Sequence, residues 1–320
     1  MNILHTQTLF NWGGEQNKTL NEMRFMREMG HNVILFCNPN SQIESIAKEE
    51  GFSVIAQEMN KKNFHKSVPA LCEAIRLNKI DALITHGSTD SWVGAIAGLF
   101  YRSKGIKFYK ERHNLFPIKG LVSKFMHKKL FDKILYISDS VKEYLLSIGV
   151  SKDRLVFMPS TVDVEAIDAT KSTFRDEFNI SQDELVIGTF TSLYRKKGVF
   201  DFASAAKEIL KEKDATIVFA GNISESTKNE IASIFSKKDK IIFTGFRKDA
   251  ANIIKGFNIY VFASHSEGLG TVLLEAMSSK VPIVVYNNAP MNVLVKDKER
   301  GLCAKNLDEI SLKECILELI

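Results

Sequence analysis

The chain has 320 residues, 45% of them hydrophobic and 25% charged, with 18 Gly, 6 Pro and a formal net charge of +5. That length exceeds one ordinary core and implies two domains of about 150 residues each, and the balance of apolar and charged residues excludes a disordered, collagenous or low-complexity chain. The longest apolar stretch, VGAIAGLFY (93–101), is about half the roughly 18 residues needed to cross a bilayer, and the start MNILHTQTLF carries no basic n-region. Cys37, Cys72, Cys303 and Cys315 form no CxxC and no metal-ligand spacing, and neither an Asp-x-Asp pair nor a histidine cluster marks a metal site. A reduced, soluble, cytoplasmic protein that needs no metal is expected.

The first strand, NILH, runs into LFNWGGEQNKTLNEM, where Gly13 and Gly14 precede a helix over 15–29. Such a pair lets backbone N–H groups approach an anion, and the helix dipole favours a phosphate there. An ordinary βα turn that needs positive φ would use the same residues. The pattern is not GxGxxG, and the second strand, NVILF (32–36), ends in Cys37-Asn38-Pro39 without the acidic residue that holds a ribose, which argues against a nicotinamide dehydrogenase. A helix over 64–78 leads to the strand DALIT (81–85), just before His86. The strand KFYKE (107–111) comes next, two residues before His113, then KILYI (133–137) and a helix over 138–147.

Charge is uneven along this half. Residues 1–166 hold 22 Lys/Arg and 17 Asp/Glu, the whole excess of five; residues 102–133 alone hold 10 basic and 2 acidic residues. A field of that kind attracts phosphates or acidic headgroups. Nucleic acid is not the expected partner, since aromatic interleaving and a recognised module are missing. Within this stretch KGLVSKFMHKKLFDK sets Leu121, Val122, Phe125, Met126 and Leu130 against five lysines. Such a helix either lies on anionic lipid or docks its stripe on the sheet with lysines in water.

The polar stretch 164–184 separates two complete α/β series, so the expected domains are 1–166 and 167–320. The second series contains LVIGTF, ATIVFAG, KIIFTG, FNIYVFA and VPIVVY. Strands alternating with helices of 10–15 residues predict parallel, doubly wound sheets that bind ligands at the strands' carboxyl ends. Near the end, in SHSEGLGTVLLEAM, Glu267 and Glu275 are eight positions apart, about 12 Å along a helix axis and on one side of it. Two carboxylates so placed accept hydrogen bonds from the vicinal hydroxyls of two sugar rings. Gly268 and Gly270 expose N–H groups to a phosphate between them. Solvated glutamates on a surface helix are the alternative, but VLL and AM beside Glu275 turn it inward.

Here the sequence resembles glycosyltransferase family 4, of the GT-B fold, in seven segments in the right order. They are GGEQNKTLNEMRFMREMGHNV, ERHN, YISDSVKEYL, FMPSTVD, SLYRKKGV, GFRKD and EGLGTVLLEAM, the last carrying the family's Glu–seven residues–Glu signature. The resemblance implies two Rossmann-like α/β domains facing a cleft, with acceptor binding in the first and nucleotide-sugar binding in the second. It implies a retaining, metal-independent transfer from a nucleotide-sugar, most often a UDP-sugar, to a glycan or lipid-linked acceptor in bacterial surface polysaccharide or lipopolysaccharide synthesis, on the inner face of the membrane. By the same resemblance Glu267 approaches the donor sugar and Glu275 the ribose. Gly13, Gly14, Ser192, Arg195, Lys197, Gly268, Leu269, Gly270 and Thr271 cradle the diphosphate, and Phe246 and Arg247 pack on the base. His113 lies by the sugar and acceptor, with His86 the second choice. The sequence departs from the family at Thr191-Ser192, where a Gly-Arg is usual and Arg195 is the substitute, at Ser160-Thr161, at Asn292, and at its early end, Ile320. A sugar-nucleotide-binding subunit without transfer and a nucleotide-sugar 2-epimerase are the alternatives.

Overall fold

The computed structural model describes residues 1–320, the side chain of Arg102 excepted. The chain divides into two compact units, Met1–Thr161 and Val162–Ile320.

In the first unit, seven strands form one parallel sheet: β1 (Asn2–Gln7), β2 (Asn32–Cys37), β3 (Ser53–Ala56), β4 (Ala82–Thr85), β5 (Lys107–Arg112), β6 (Lys133–Tyr136) and β7 (Leu155–Phe157), in the order β3-β2-β1-β4-β5-β6-β7. The central strands β1 and β4 are short and buried on both faces, as helices on either side require, with polar residues such as His5, Thr6 and Gln7 enclosed among the apolar ones. Strand order reverses between β1 and β4, so the crevice of a doubly wound sheet opens at their carboxyl ends. The apolar stretch around residue 93 lies in a helix, Ser88–Tyr101, whose small residues meet the sheet: a Cβ on Gly98 would touch the Phe108 ring at 3.3 Å.

The second unit repeats the plan with β8 (Val186–Phe190), β9 (Thr216–Ala220), β10 (Lys240–Gly245), β11 (Ile259–Phe262), β12 (Ile283–Tyr286) and β13 (Leu302–Ala304), all parallel, in the order β10-β9-β8-β11-β12-β13. Its switch point lies between β8 and β11. Its core spans Phe174 to Ile316.

The units part five residues before the division expected at residue 166. The reason is the helix Val164–Ala169, whose end is tied to the second unit: Lys255 Nζ donates to the carbonyls of Ile167, Asp168 (3.2 Å) and Thr170 (2.8 Å). Nor is the polar stretch a bare linker. Phe174 within it is fully buried, edge-on to Phe257 at 5.6 Å.

Candidate active site

In the second unit the candidate residues gather at the carboxyl ends of β8 and β11. After β8 the chain turns through Arg195–Lys197 to Gly198, at φ 65°, where a Cβ would lie 1.8 Å from the Ala263 carbonyl oxygen. Only glycine permits both that backbone and that approach. The turn brings Lys197 beside the loop after β11, and its ammonium forms an ion pair with Glu267 Oε1, both side chains largely shielded from solvent.

That loop is held from several sides. His265 N donates to the Lys196 carbonyl (3.0 Å), and His265 Nε2 meets Asp201 Oδ2 (3.0 Å), which also accepts from the Tyr286 hydroxyl (2.9 Å). Asn288 Nδ2 donates to the Ser264 carbonyl (3.1 Å). The loop ends at Gly270, φ 80°, and opens the helix Thr271–Ser278 with no side-chain cap, which leaves its first N–H groups for an anion. Glu275 is half-buried on this helix. The buried Tyr260 hydroxyl, which donates to the Phe190 carbonyl (3.0 Å), is pushed well above its usual pKa by burial and then by Glu275 and Glu267. The sequence reading set both glutamates along one helix; the structure keeps only Glu275 there, because Glu267 lies in the loop that Gly270 ends before the helix starts at Thr271.

Lys197, Glu267, Gly268, Leu269, Gly270, Thr271 and Glu275 are thus brought together. Ser192 is half-buried in the turn after β8. Arg195 is turned away: it is exposed, paired with Glu230 and stacked 4.0 Å over Phe200. It does not fill the place of the missing arginine. Arg247 is likewise committed, donating to Asp249 Oδ1 (2.8 Å) and Oδ2 (2.7 Å) and to Glu177 Oε2 (2.9 Å). The hydrogen bond from Arg247 holds the Asp249 carboxyl down at about 2. This clamp fastens the helix Phe174–Glu177 to the segment after β10, so of the base-packing pair only Phe246, half-buried, is unengaged by that clamp.

In the first unit Gly13 and Gly14 open the helix Gly14–Glu28, again without a side-chain cap. Gly13 is extended at φ −165°, so the pair does not serve a left-handed turn. Beyond it, three adjacent strands each deliver an imidazole. His5 Nδ1 lies 2.9 Å from His86 Nε2, and His86 Nδ1 lies 3.0 Å from His113 Nε2, the rings stacked at 5.2 Å spacings. The two histidines posed as first and second choice are neighbours in one row. His86 is fixed by its backbone: Asp90 Oδ2 accepts from His86 N (2.7 Å) and Gly87 N (3.0 Å), and Lys110 Nζ donates to the His86 and Gly87 carbonyls. Burial drives the Lys110 ammonium down to about 8.

Glu111 runs beneath the row, its Oε2 at 3.2 Å from His86 Nδ1 and 3.7 Å from His113 Nε2, its Oε1 paired with Lys18, which also pairs with Glu22. Against the cost of burial, His113, His86 and Lys18 hold the Glu111 carboxyl well below its usual range. Burial and the adjacent Glu111 push Glu22 well up. Burial keeps His113 and His5 well below the usual histidine value, hence neutral at pH 7. The sequence reading that no histidine cluster forms is corrected here, because residues 5, 86 and 113 meet only through the β1-β4-β5 order. His5, Lys18, Glu22 and Glu111, like Asp201, His265 and Tyr286 in the second unit, were not singled out by sequence.

Residues 12–166 match the family model described as Glycosyltransferase Family 4, and residues 170–320 match Glycosyl transferases group 1. The chain belongs to glycosyltransferase family 4.

This glycosyltransferase is 22% identical over 319 residues to the Escherichia coli UDP-Gal:alpha-D-GlcNAc-diphosphoundecaprenol alpha-1,3-galactosyltransferase, a match covering 93% of the chain and 82% of that relative. It is 26% identical over 235 residues to the Campylobacter jejuni N,N'-diacetylbacillosaminyl-diphospho-undecaprenol alpha-1,3-N-acetylgalactosaminyltransferase, covering 70% of the chain but 59% of that relative's length. The fold is shared with Anabaena HepE (Alr3699), solved in complex with UDP-glucose, at a TM-score of 0.87 and 16% identity over 99% of this chain and 89% of that one. The GT-B architecture of two Rossmann-like domains is therefore that of a glycosyltransferase family 4 enzyme. Among its described residues no helix is long and apolar enough to cross a membrane.

Proposed function

We propose that this glycosyltransferase moves a sugar, with retention at the anomeric carbon and without a metal, from a UDP-sugar to a lipid-linked glycan acceptor of a bacterial surface polysaccharide, at the cytoplasmic face of the membrane. The observation that carries the reading is the Lys197–Glu267 pair beside the uncapped start of Thr271–Ser278, the helix that bears Glu275. An ammonium and a helix N-terminus supply positive charge against the negative charge that a departing diphosphate develops, a role otherwise taken by a metal ion. Glu275 accepts the ribose hydroxyls and Glu267 those of the sugar. His113, neutral and held by the row behind it, offers one ring nitrogen to a sugar or acceptor hydroxyl.

The UDP-sugar and the lipid-linked acceptor are supported by the names of the relatives, which state UDP-Gal and undecaprenol diphosphates. The membrane surface is supported by the helix Leu121–Lys129, where Leu121, Val122 and Phe125 stay exposed while Met126 enters the core.

The test is transfer by the full chain from UDP-galactose, UDP-glucose or UDP-N-acetylglucosamine to undecaprenyl diphosphate sugars, run in EDTA, with the product anomer read by NMR. Transfer that persists and yields the α product is expected. Collapse in EDTA with recovery in Mg²⁺ or Mn²⁺ would overturn the metal-free reading, a β product would overturn retention, and donor binding without transfer would reduce the chain to a binding subunit.

A further inference from the structure

Three potential ligand atoms converge at the top of β4 and β5. His86 Nδ1, Glu111 Oε2 and His113 Nε2 are 3.0, 3.2 and 3.7 Å apart. In a tetrahedral site with metal–ligand bonds of about 2.0–2.1 Å, the ligand–ligand edge is about 3.3 Å. The three separations bracket that edge. Glu111 is fully buried; Lys18 answers Oε1, and Oε2 faces the two imidazole nitrogens at 3.2 and 3.7 Å. No well-aligned N–H reaches Oε2, which leaves it able to take a cation.

The tautomers sharpen the point. Met26 Sδ lies 3.3 Å from His5 Nε2, and a thioether accepts but does not donate, so that nitrogen carries the proton. His5 Nδ1 is then an acceptor, and His86 Nε2 must donate to it across 2.9 Å. His86 Nδ1 then faces both His113 Nε2 and the Glu111 carboxylate. A proton shared from His113 meets one of these atoms, whereas a metal ion meets all three. The His86–His5–Met26 chain is the outer support that ligating imidazoles ordinarily have, fixing tautomer and ring orientation. Lys18 on Glu111 Oε1, itself countered by Glu22, steadies the carboxylate in the same way.

We propose that His86 Nδ1, Glu111 Oε2 and His113 Nε2 form a three-ligand site for a divalent transition metal, Zn²⁺ by its nitrogen–oxygen donor set, with the fourth position open. The other grouping that shares His86, with His5 and Glu22, is the weaker candidate. All three of its members are buried, and Lys18 already holds Glu22. The His113 side chain, 6% exposed, is the least enclosed of the three.

The test uses Co²⁺ as probe on the full-length, metal-stripped chain. One equivalent is expected to give the intense visible absorption of tetrahedral cobalt, displaced by Zn²⁺, weakened at least about tenfold in His86→Gln and His113→Gln, and retained in Glu22→Gln. Circular dichroism confirms folding, and His113→Gln decides if the more buried variant fails to fold. A wild type without the tetrahedral spectrum, or a spectrum that survives His113→Gln, would overturn the site. Loss in Glu22→Gln with retention in His113→Gln would also overturn it, by moving the ion to the other trio.

Discussion

Glu275 sits half-buried on Thr271–Ser278, where a carboxylate that accepts hydrogen bonds from a ligand is worth about 1.5–3 kcal/mol. Glu275→Ala should therefore weaken UDP-sugar binding about 10- to 150-fold by calorimetry, and an unchanged affinity would remove it from the ribose. Glu267→Ala should lower turnover more than it lowers affinity for UDP without a sugar; equal losses would place Glu267 off the sugar. His127 carries a prediction about stability. It is buried, its Nδ1 is 2.7 Å from the Ser123 carbonyl, and its Nε2 has no partner among the described residues. Burial, opposed by that bond, lowers it from 6.5 to about 4. The unfolded chain then binds a proton that the folded chain refuses between those two values. This contribution is whole above pH 6.5 and is lost as pH falls toward 4, by about 3 kcal/mol at most. His5 and His113 lean the same way, so the measurement is a difference: urea midpoints at pH 7 and 5 should drop less in His127→Gln than in wild type. Equal drops would show that His127 is not held neutral.

The helix Leu121–Lys129 tests the membrane reading at the scale of one element. The sequence stripe of five apolar residues is divided in the structure: Met126 is 2% exposed, whereas Leu121 and Val122 are 85% and 68% exposed. An apolar edge left in water beside lysines is what an interfacial helix presents. Replacing Leu121, Val122 and Phe125 by serine should abolish sedimentation with anionic vesicles while sparing the fold, since none of the three is in the core. Wild-type binding should weaken with salt, because each lysine near the surface adds about 1 kcal/mol and is screened beyond about 8 Å. Identical sedimentation of the two proteins would return the helix to a solvated role. Most elements, like this one, were legible in the sequence. Runs such as NVILF and VPIVVY announce buried parallel strands. What pattern does not carry is where long side chains find partners. Arg195 and Arg247 read as ligand-binding cations, but Glu230, Glu177 and Asp249 claim them from 35, 70 and 2 residues away. The histidine row escapes for a related reason, since strand order, not spacing, assembles it.

For the molecule as a whole, each unit has its own sheet and its own core. Lys197, Glu267, Glu275 and the start of Thr271–Ser278 all belong to Val162–Ile320. Expressed alone, that unit should unfold cooperatively and bind UDP, as scanning calorimetry and titration would read. A folded unit that gives no heat with UDP would show that the first unit supplies part of the binding. The charge excess of five belongs entirely to the first 166 residues. Attraction to an anionic surface is therefore expected of that half, and the two behaviours should separate when the halves do.

The pairing of Lys197 with Glu267 has one more consequence for the proposed donor. The ammonium meant for a phosphate already has an anion of its own, so donor capture is an exchange in which the diphosphate displaces the carboxylate. The carboxylate released in that exchange is then free to take the sugar's hydroxyls. A nucleoside lacks the charge to drive the swap, and a free sugar finds its acceptor occupied. The resting protein thus discriminates an intact nucleotide-sugar from either of its fragments, because only the intact molecule both frees Glu267 and employs it.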